Sequence, residues 1–244
     1  NPLGELVPSM DYNAPPDGLS GIVAMPNGMM AAFVGKRLYF CEPWIPHAWP
    51  EKYVLTVDYP IVGLGVIGSA LAIMTAGQPY IAAGTAPDTM SMEKLEVNQP
   101  CVSPRGIVDL GFSIAYPSQD GLVEISQAGA QIRGRELISR DDWRRLNPFS
   151  FVSAAFDGRY MASYAYTDTA GVEQRGMLII DLTGTEPFIT RGSDDADATY
   201  RDLSSGSLYL LKNGQDIYEW DAYSMPYGEA YWRSKRFVLT ADTN

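Results

Sequence analysis

Short apolar stretches carrying an aromatic or branched residue alternate with turn-forming residues along nearly the whole chain. They include Leu38-Tyr39-Phe40, Pro79-Tyr80-Ile81, Leu122-Val123-Glu124-Ile125, Leu178-Ile179-Ile180 and Ile217-Tyr218-Glu219-Trp220. Each is too short for a helix and is flanked by Gly, Asn, Asp or Pro, so each predicts a strand. With Tyr39, Tyr80, Val123, Ile179 and Tyr218 as markers, the spacings are 41, 43, 56 and 39 residues. A period of that size, with several strands per unit, is the pattern of β-propeller blades.

The turns divide the chain into units. In the first, strands at 21–26, 29–34 and 37–41 are separated by Asn27-Gly28 and Gly35-Lys36. Asn-Gly favours the tight turns that join hairpin strands. The second repeats the plan at 61–66, 70–75 and 79–83, with turns at Gly68-Ser69 and Gly77-Gln78. The third covers 106–132 around Ser118-Gln119-Asp120-Gly121. The fourth covers 151–182, with turns at Asp157-Gly158 and 169–171, and the fifth covers 198–221, with turns at Ser205-Gly206 and Asn213-Gly214. Between the third and fourth, Ser139 with Asp142 three residues on resembles a capping box, and Pro148 stops the chain, so a short helix is predicted near 140–147. Residues 1–19, rich in Pro, Asn and Gly, read as a linker or N-terminal extension. Residues 231–239 read as a last strand that could pair with the first unit and remove an exposed edge. The expected fold is therefore all-β: one propeller-like domain over 20–240, with about five or six antiparallel blades.

Composition narrows the function classes. A formal net charge of −11 and a pI near 4.5 argue against a phosphate-gripping groove, so no sequence-specific nucleic acid is expected as a partner. No membrane partner is expected either: the longest apolar stretch, 61–76, is interrupted by Gly63, Gly65, Gly68 and Ser69. Cys41 and Cys101 lie 60 residues apart and form no CxxC pair, which reads as two buried thiols in a protein made in a reducing cytoplasm. The chain begins at Asn1 rather than Met, which reads as a piece of a longer polypeptide.

Chemistry is thin. His47 is the one histidine and has no G-x-S-x-G elbow to serve, so it reads as a packed or hydrogen-bonded loop residue. Asp194, Asp195 and Asp197 could suggest calcium, but their spacing is not that of an EF-hand and a solvated acidic loop is the better reading. A propeller glycosidase needs carboxylates converging in the central cavity, and Asp58, Asp109, Glu124 and Asp202 at strand edges are its candidates. The 118–121 turn resembles a sialidase Asp-box with its Gly one position early, and reads as a hairpin. Gly63, Gly65 and Gly68 spell G-x-G-x-x-G with no helix after them, so they do not read as a dinucleotide site. No catalytic, cofactor-binding or metal-ligating residue is assigned, and no enzyme activity is expected.

Several runs, in order, resemble one family. They are 38–43 with 46–50, Tyr59-Pro60-Ile61-Val62-Gly63-Leu64-Gly65, Gln99-Pro100-Cys101-Val102-Ser103, Asp120-Gly121-Leu122-Val123 and Tyr231-Trp232-Arg233-Ser234-Lys235. Together they span most of 18–240. The chain resembles the β-propeller tail hub and nozzle proteins of short-tailed phages and prophages, including packaged-DNA-stabilising tail proteins; the family has serine where Cys41 stands. The resemblance implies a structural virion protein of the tail, assembled in the bacterial cytoplasm. It also implies a homo-oligomeric ring, other tail subunits as partners, a role in DNA passage or retention, and no catalytic residues. The alternative is a carbohydrate-binding or glycan-cleaving propeller used at the host cell surface, with Trp44, Trp49 and Tyr227 as sugar-stacking candidates.

Overall fold

A computed structural model describes residues 13–183 and 188–222. The described chain forms five antiparallel sheets, each built from strands in chain order. The first holds β1 (Ser20–Ala24), β2 (Met30–Val34), β3 (Arg37–Phe40) and β4 (Leu55–Thr56). The second holds β5 (Ile61–Ile67), β6 (Ala70–Thr75), β7 (Tyr80–Ala83) and β8 (Ser91–Lys94). The third holds β9 (Val108–Asp109), β10 (Ile114–Pro117), β11 (Leu122–Ser126) and β12 (Gly129–Arg133). A helix, α1 (Arg140–Arg145), separates it from the fourth, made of β13 (Val152–Phe156), β14 (Arg159–Thr167), β15 (Glu173–Asp181) and β16 (Phe188–Gly192). The fifth holds β17 (Ala198–Arg201), β18 (Leu208–Lys212) and β19 (Asp216–Glu219). The expected closing strand at 231–239, and most of the expected linker at 1–19, lie outside the described residues.

The first strands of successive sheets lie side by side: β1 by β5, β5 by β9, β9 by β13, β13 by β17. The sheets therefore stack face to face around a common inner edge, as propeller blades do. Strand periodicity explains the packing. Successive side chains of β6 point to opposite faces. Leu71 and Ile73 join the core shared with the first sheet, and Ala72 and Met74 the core shared with the third. In β14, Tyr160 and Ala162 face the third sheet's core while Met161 faces that of the fifth.

The glycines of 63–68 have a packing role. Gly63 and Gly65 lie on β5, where a Cβ on Gly65 would sit 2.6 Å from Ile114 Cγ1 and one on Gly63 would run into Ile107. The second sheet thus approaches the third closely at both glycines. Gly65→Ala should cost about 1 to 2 kcal/mol by overpacking. Chemical denaturation checks this, and Ile114→Val in the same chain should recover part of the loss. Two independent single-variant effects that simply add would argue against the contact.

Helix α1 follows the sequence reading closely. Ser139 caps it, its Oγ accepting the Asp142 N–H at 3.1 Å and donating to the Asp142 carboxylate at 2.7 Å. The helix ends two residues earlier than 147. Asn147 turns left-handed at φ 54, and a 3-10 turn, Pro148–Ser150, leads into β13.

Candidate functional site

The inner strands are where a propeller enzyme would carry its chemistry, and here they carry little. Their sequences are SGIVA, IVGLGVI, VD, VSAAF and ATYR, so Asp109 and Arg201 are their only charged residues. An open groove of about 420 Å³ between the second and third sheets is lined by Ile67, Gly68, Gly111, Phe112, Ser126, Gln127 and Ala128, none of them titratable.

The four candidate carboxylates are dispersed and share no hydrogen-bond partner among the described residues. Asp58 follows β4, pairs with Lys94 and accepts from the Tyr80 hydroxyl at 2.8 Å. Lys94, then Tyr80, hold its carboxyl below the ordinary range. Asp109, at the end of β9, accepts the Gly111 N–H at 2.7 Å and so shapes its own turn. Asp202 does likewise after β17, accepting from the Ser204 N–H at 2.9 Å and the Ser205 hydroxyl at 2.8 Å. Glu124 corrects the expectation of a strand-edge acid. It lies in the middle of β11, buried, where it accepts from Ser113 Oγ at 2.7 Å and pairs with Arg133 at 3.2 Å. Its neighbours on the sheet hold it inside the stack, away from the inner edge. The sequence marks where each acid falls relative to a turn and cannot mark its partner.

The acidic loop is in contact with solvent, as expected, and its charges are paired. Lys212 pairs with Asp194 at 2.7 Å; Arg175 bridges Asp195 at 3.3 Å and Asp197 at 3.2 Å. Asp197 also accepts the Gly214 N–H at 2.9 Å, and this bond, then Arg175, lowers its carboxyl pKa. No group of three His, Cys, Asp or Glu placed to hold a metal ion occurs among the described residues. Cys41 and Cys101 are buried free thiols. Burial pushes the Cys101 thiol up to about 12, and Cys41 Sγ accepts the Met30 N–H at 3.0 Å. His47 is exposed on the loop 41–54 of the first sheet.

The best-organised polar cluster is one the sequence reading passed over as a hairpin. Asp120 accepts two bonds from Arg140, at 2.7 and 2.6 Å, one from Arg144 at 2.7 Å and one from Gln99 Nε2 at 3.1 Å. Its carboxyl sits at about 2, lowered first by Arg140 against the desolvation of its burial. The cluster fastens α1 to the third sheet. Trp143 of the same helix is 1% exposed, donates its indole N–H to Ser118 O at 2.8 Å and meets Phe151 edge-on at 5.3 Å. The i, i+4 spacing of Arg140 and Arg144 was the available signal. The aromatic candidates also separate. Trp44 is 79% exposed, Trp49 is buried under the first sheet at 4%, and Tyr227 lies outside the described residues. Trp49 is therefore no sugar platform: its indole N–H is taken by Pro46 O at 2.9 Å and its rings fill a core.

No family model matches the sequence, and no curated protein matches it. Solved structures do. The N-terminal domain of Nup159 matches with TM-score 0.53 at 12% identity, over 83% of this chain and 60% of that one. The β-propeller domain of Cps50 (Swd1) from Myceliophteria thermophila matches with TM-score 0.52 at 9% identity, over 83% of this chain and 69% of that one. This chain thus spans about 60% of the Nup159 domain's length. At such identities the likeness concerns fold alone. With five stacked antiparallel meanders around a common inner edge, it shows that this is an all-β, β-propeller-like chain.

Proposed function

We propose that this chain is a structural propeller module of a phage or prophage tail, part of a hub or nozzle ring through which DNA passes or is retained, and that it is not an enzyme. The observation that carries the reading is the inner edge: mostly small and apolar residues, with Asp109 and Arg201 as its only charges among the described inner strands. Glycoside cleavage needs two carboxylates about 5 to 10 Å apart across one bond. The candidate acids here each serve a separate turn, ion pair or sheet. The ordered sequence runs at 38–50, 59–65, 99–103 and 120–123 supply the tail assignment. In such a ring a negative lumen would suit passage, because phosphate-binding side chains would retard the DNA, and the chain carries a net charge of −11.

The carbohydrate reading keeps one observation, the exposed Trp44. Two experiments separate the readings. Immunogold electron microscopy of virions from the host strain should place an antibody against this chain on the tail. Host-surface polysaccharide incubated with the pure chain should release no oligosaccharide. Gold on the bacterial envelope with none on particles, or turnover abolished by a single Asp or Glu substitution, would overturn the structural reading.

A further inference from the structure

Three turns meet between the second and third sheets and enclose the open groove of about 420 Å³. They are the β5–β6 turn at Gly68, the β9–β10 turn at Gly111 and Phe112, and the β11–β12 turn at 126–128. The groove has the size of a small-molecule site. Two of the turns are held in place by their own side chains. Asp109 accepts the Gly111 N–H at 2.7 Å, and Leu110 N–H donates to Ser113 O at 2.9 Å. Leu110 and Ser113 are buried, and Ser113 Oγ donates to Glu124 at 2.7 Å. Ser126 Oγ accepts the Ala128 N–H at 3.2 Å. Gly111 takes φ 91, and a Cβ there would meet nothing within 4 Å, so this position opens on free space.

Phe112 is the oddity of this groove. Its backbone is fixed between the buried Leu110 and Ser113, yet its side chain is 57% exposed and joins no buried apolar cluster among the described residues. A ring held this way contributes little to its own fold and loses little entropy when a ligand covers it. Gln127 is exposed on the β11–β12 turn, with its amide near Gly68: a Cβ on Gly68 would stand 3.0 Å from Gln127 Nε2. A carboxamide offers two donors and an acceptor. The charge around the groove has one sign. Residues 61–75 include no charged side chain, and 108–132 include Asp109, Asp120 and Glu124 but no Lys or Arg. Asp120 and Glu124 are paired with arginines, which leaves Asp109 beside the Phe112 turn. Such a field disfavours phosphates and carboxylated sugars.

We propose that this groove binds a neutral sugar unit of a glycan chain. A pyranose has an apolar face of C–H bonds and a rim of hydroxyls. The C–H face suits the negative π-face of Phe112. The rim suits the Gln127 amide and the backbone of the glycine turns. The open side of the groove lets the rest of a chain run out. No titratable group lines the groove, so it binds and does not cleave. One stacked ring makes a weak site, and several copies in a tail ring would add their contacts through avidity. Only that last step rests on the structural reading.

The test is saturation-transfer NMR on the 244-residue chain with the methyl glycosides of glucose, galactose and N-acetylglucosamine. N-acetylneuraminic acid serves as the anionic probe and N-acetyl-leucinamide as the peptide-like one. At least one neutral glycoside should bind, with transfer strongest on the C–H protons of one ring face. Phe112→Ala and Gln127→Ala should each weaken that binding by roughly 5- to 10-fold. Both side chains are exposed, so both variants should melt with the parent. Trp44→Ala should bind as the parent does. Binding of none of the glycosides overturns the proposal. So does binding that survives Phe112→Ala and is lost with Trp44→Ala, or N-acetylneuraminic acid bound as tightly as the neutral sugars. N-acetyl-leucinamide as the sole ligand would overturn it too, and would mark a protein-docking groove. If Phe112→Ala does not fold, Gln127→Ala decides the matter. Sugar binding that obeys these rules with no gold on virion tails would keep the site and remove the tail function.

Discussion

Replacing Trp143 by Ala should lower the melting temperature of this chain by roughly 6 to 20 °C. The indole is 1% exposed and is the largest fully buried side chain among the described residues. It sits in the core between the third and fourth sheets, with Leu122, Phe151, Tyr160 and Leu178. Truncating a buried Trp to Ala costs about 3 to 5 kcal/mol, the lost transfer energy plus the cavity left behind. For a chain of this size each kcal/mol corresponds to roughly 2 to 4 °C. The variant also strands Ser118 O, which now accepts the indole N–H at 2.8 Å. Trp143→Phe should isolate that term, with a smaller loss. Trp44→Ala is the control: at 79% exposure and a strained φ, it should melt near the parent. Calorimetry on the three variants decides the matter. Equal melting of Trp143→Ala and Trp44→Ala would mean that α1 is not the plug between the two sheets.

Asp120→Ala should cost about 2 to 3 kcal/mol at neutral pH. Removing it leaves Arg140, Arg144 and Gln99 without their common acceptor. Losing one partner of a buried pair commonly costs 3 to 5 kcal/mol. Both arginines are half exposed, so water compensates part of that. The pH dependence has a definite sign. The carboxyl is held at about 2 in the folded chain against an ordinary 3.8. A depressed folded value stabilises above the unfolded one, and that contribution fades as pH falls toward the folded value. It should be complete above about pH 4 and vanish near pH 2. Urea titrations of parent and variant should therefore converge between pH 4 and pH 2. A gap that stays constant down to pH 2 would contradict the ion-pair account.

The strands that the sequence marked are those with an apolar face and a sharp turn. β2, β3, β5, β6, β7 and β11 fall within a residue or two of expectation because alternation and Gly- or Asn-bearing turns report them directly. The outer strands were missed. β8 reads Ser-Met-Glu-Lys, β4 has two residues, and β16 is mostly exposed. At the rim of a blade little is buried, so no period survives to be read. The helix was visible through Ser139 and Asp142, but not its role. That Trp143 fills the gap between two sheets depends on residues as distant as Ser118 and Tyr160. The candidate site followed the same logic. Turn-forming acids such as Asp109 and Asp202 were placed correctly at strand ends. Their engagement with their own loops, and the burial of Glu124 with Arg133, are tertiary facts. The expected closing strand at 231–239 falls outside the described residues.

The most direct measurement of the central claim is a side-chain-resolution cryo-electron microscopy map of the virion tail. The account predicts density for five stacked antiparallel sheets of this sequence in a tail ring. The Trp143 indole should lie between the third and fourth sheets of each copy. A tail whose density is fully accounted for by other chains, with this one absent from the particle, would contradict it.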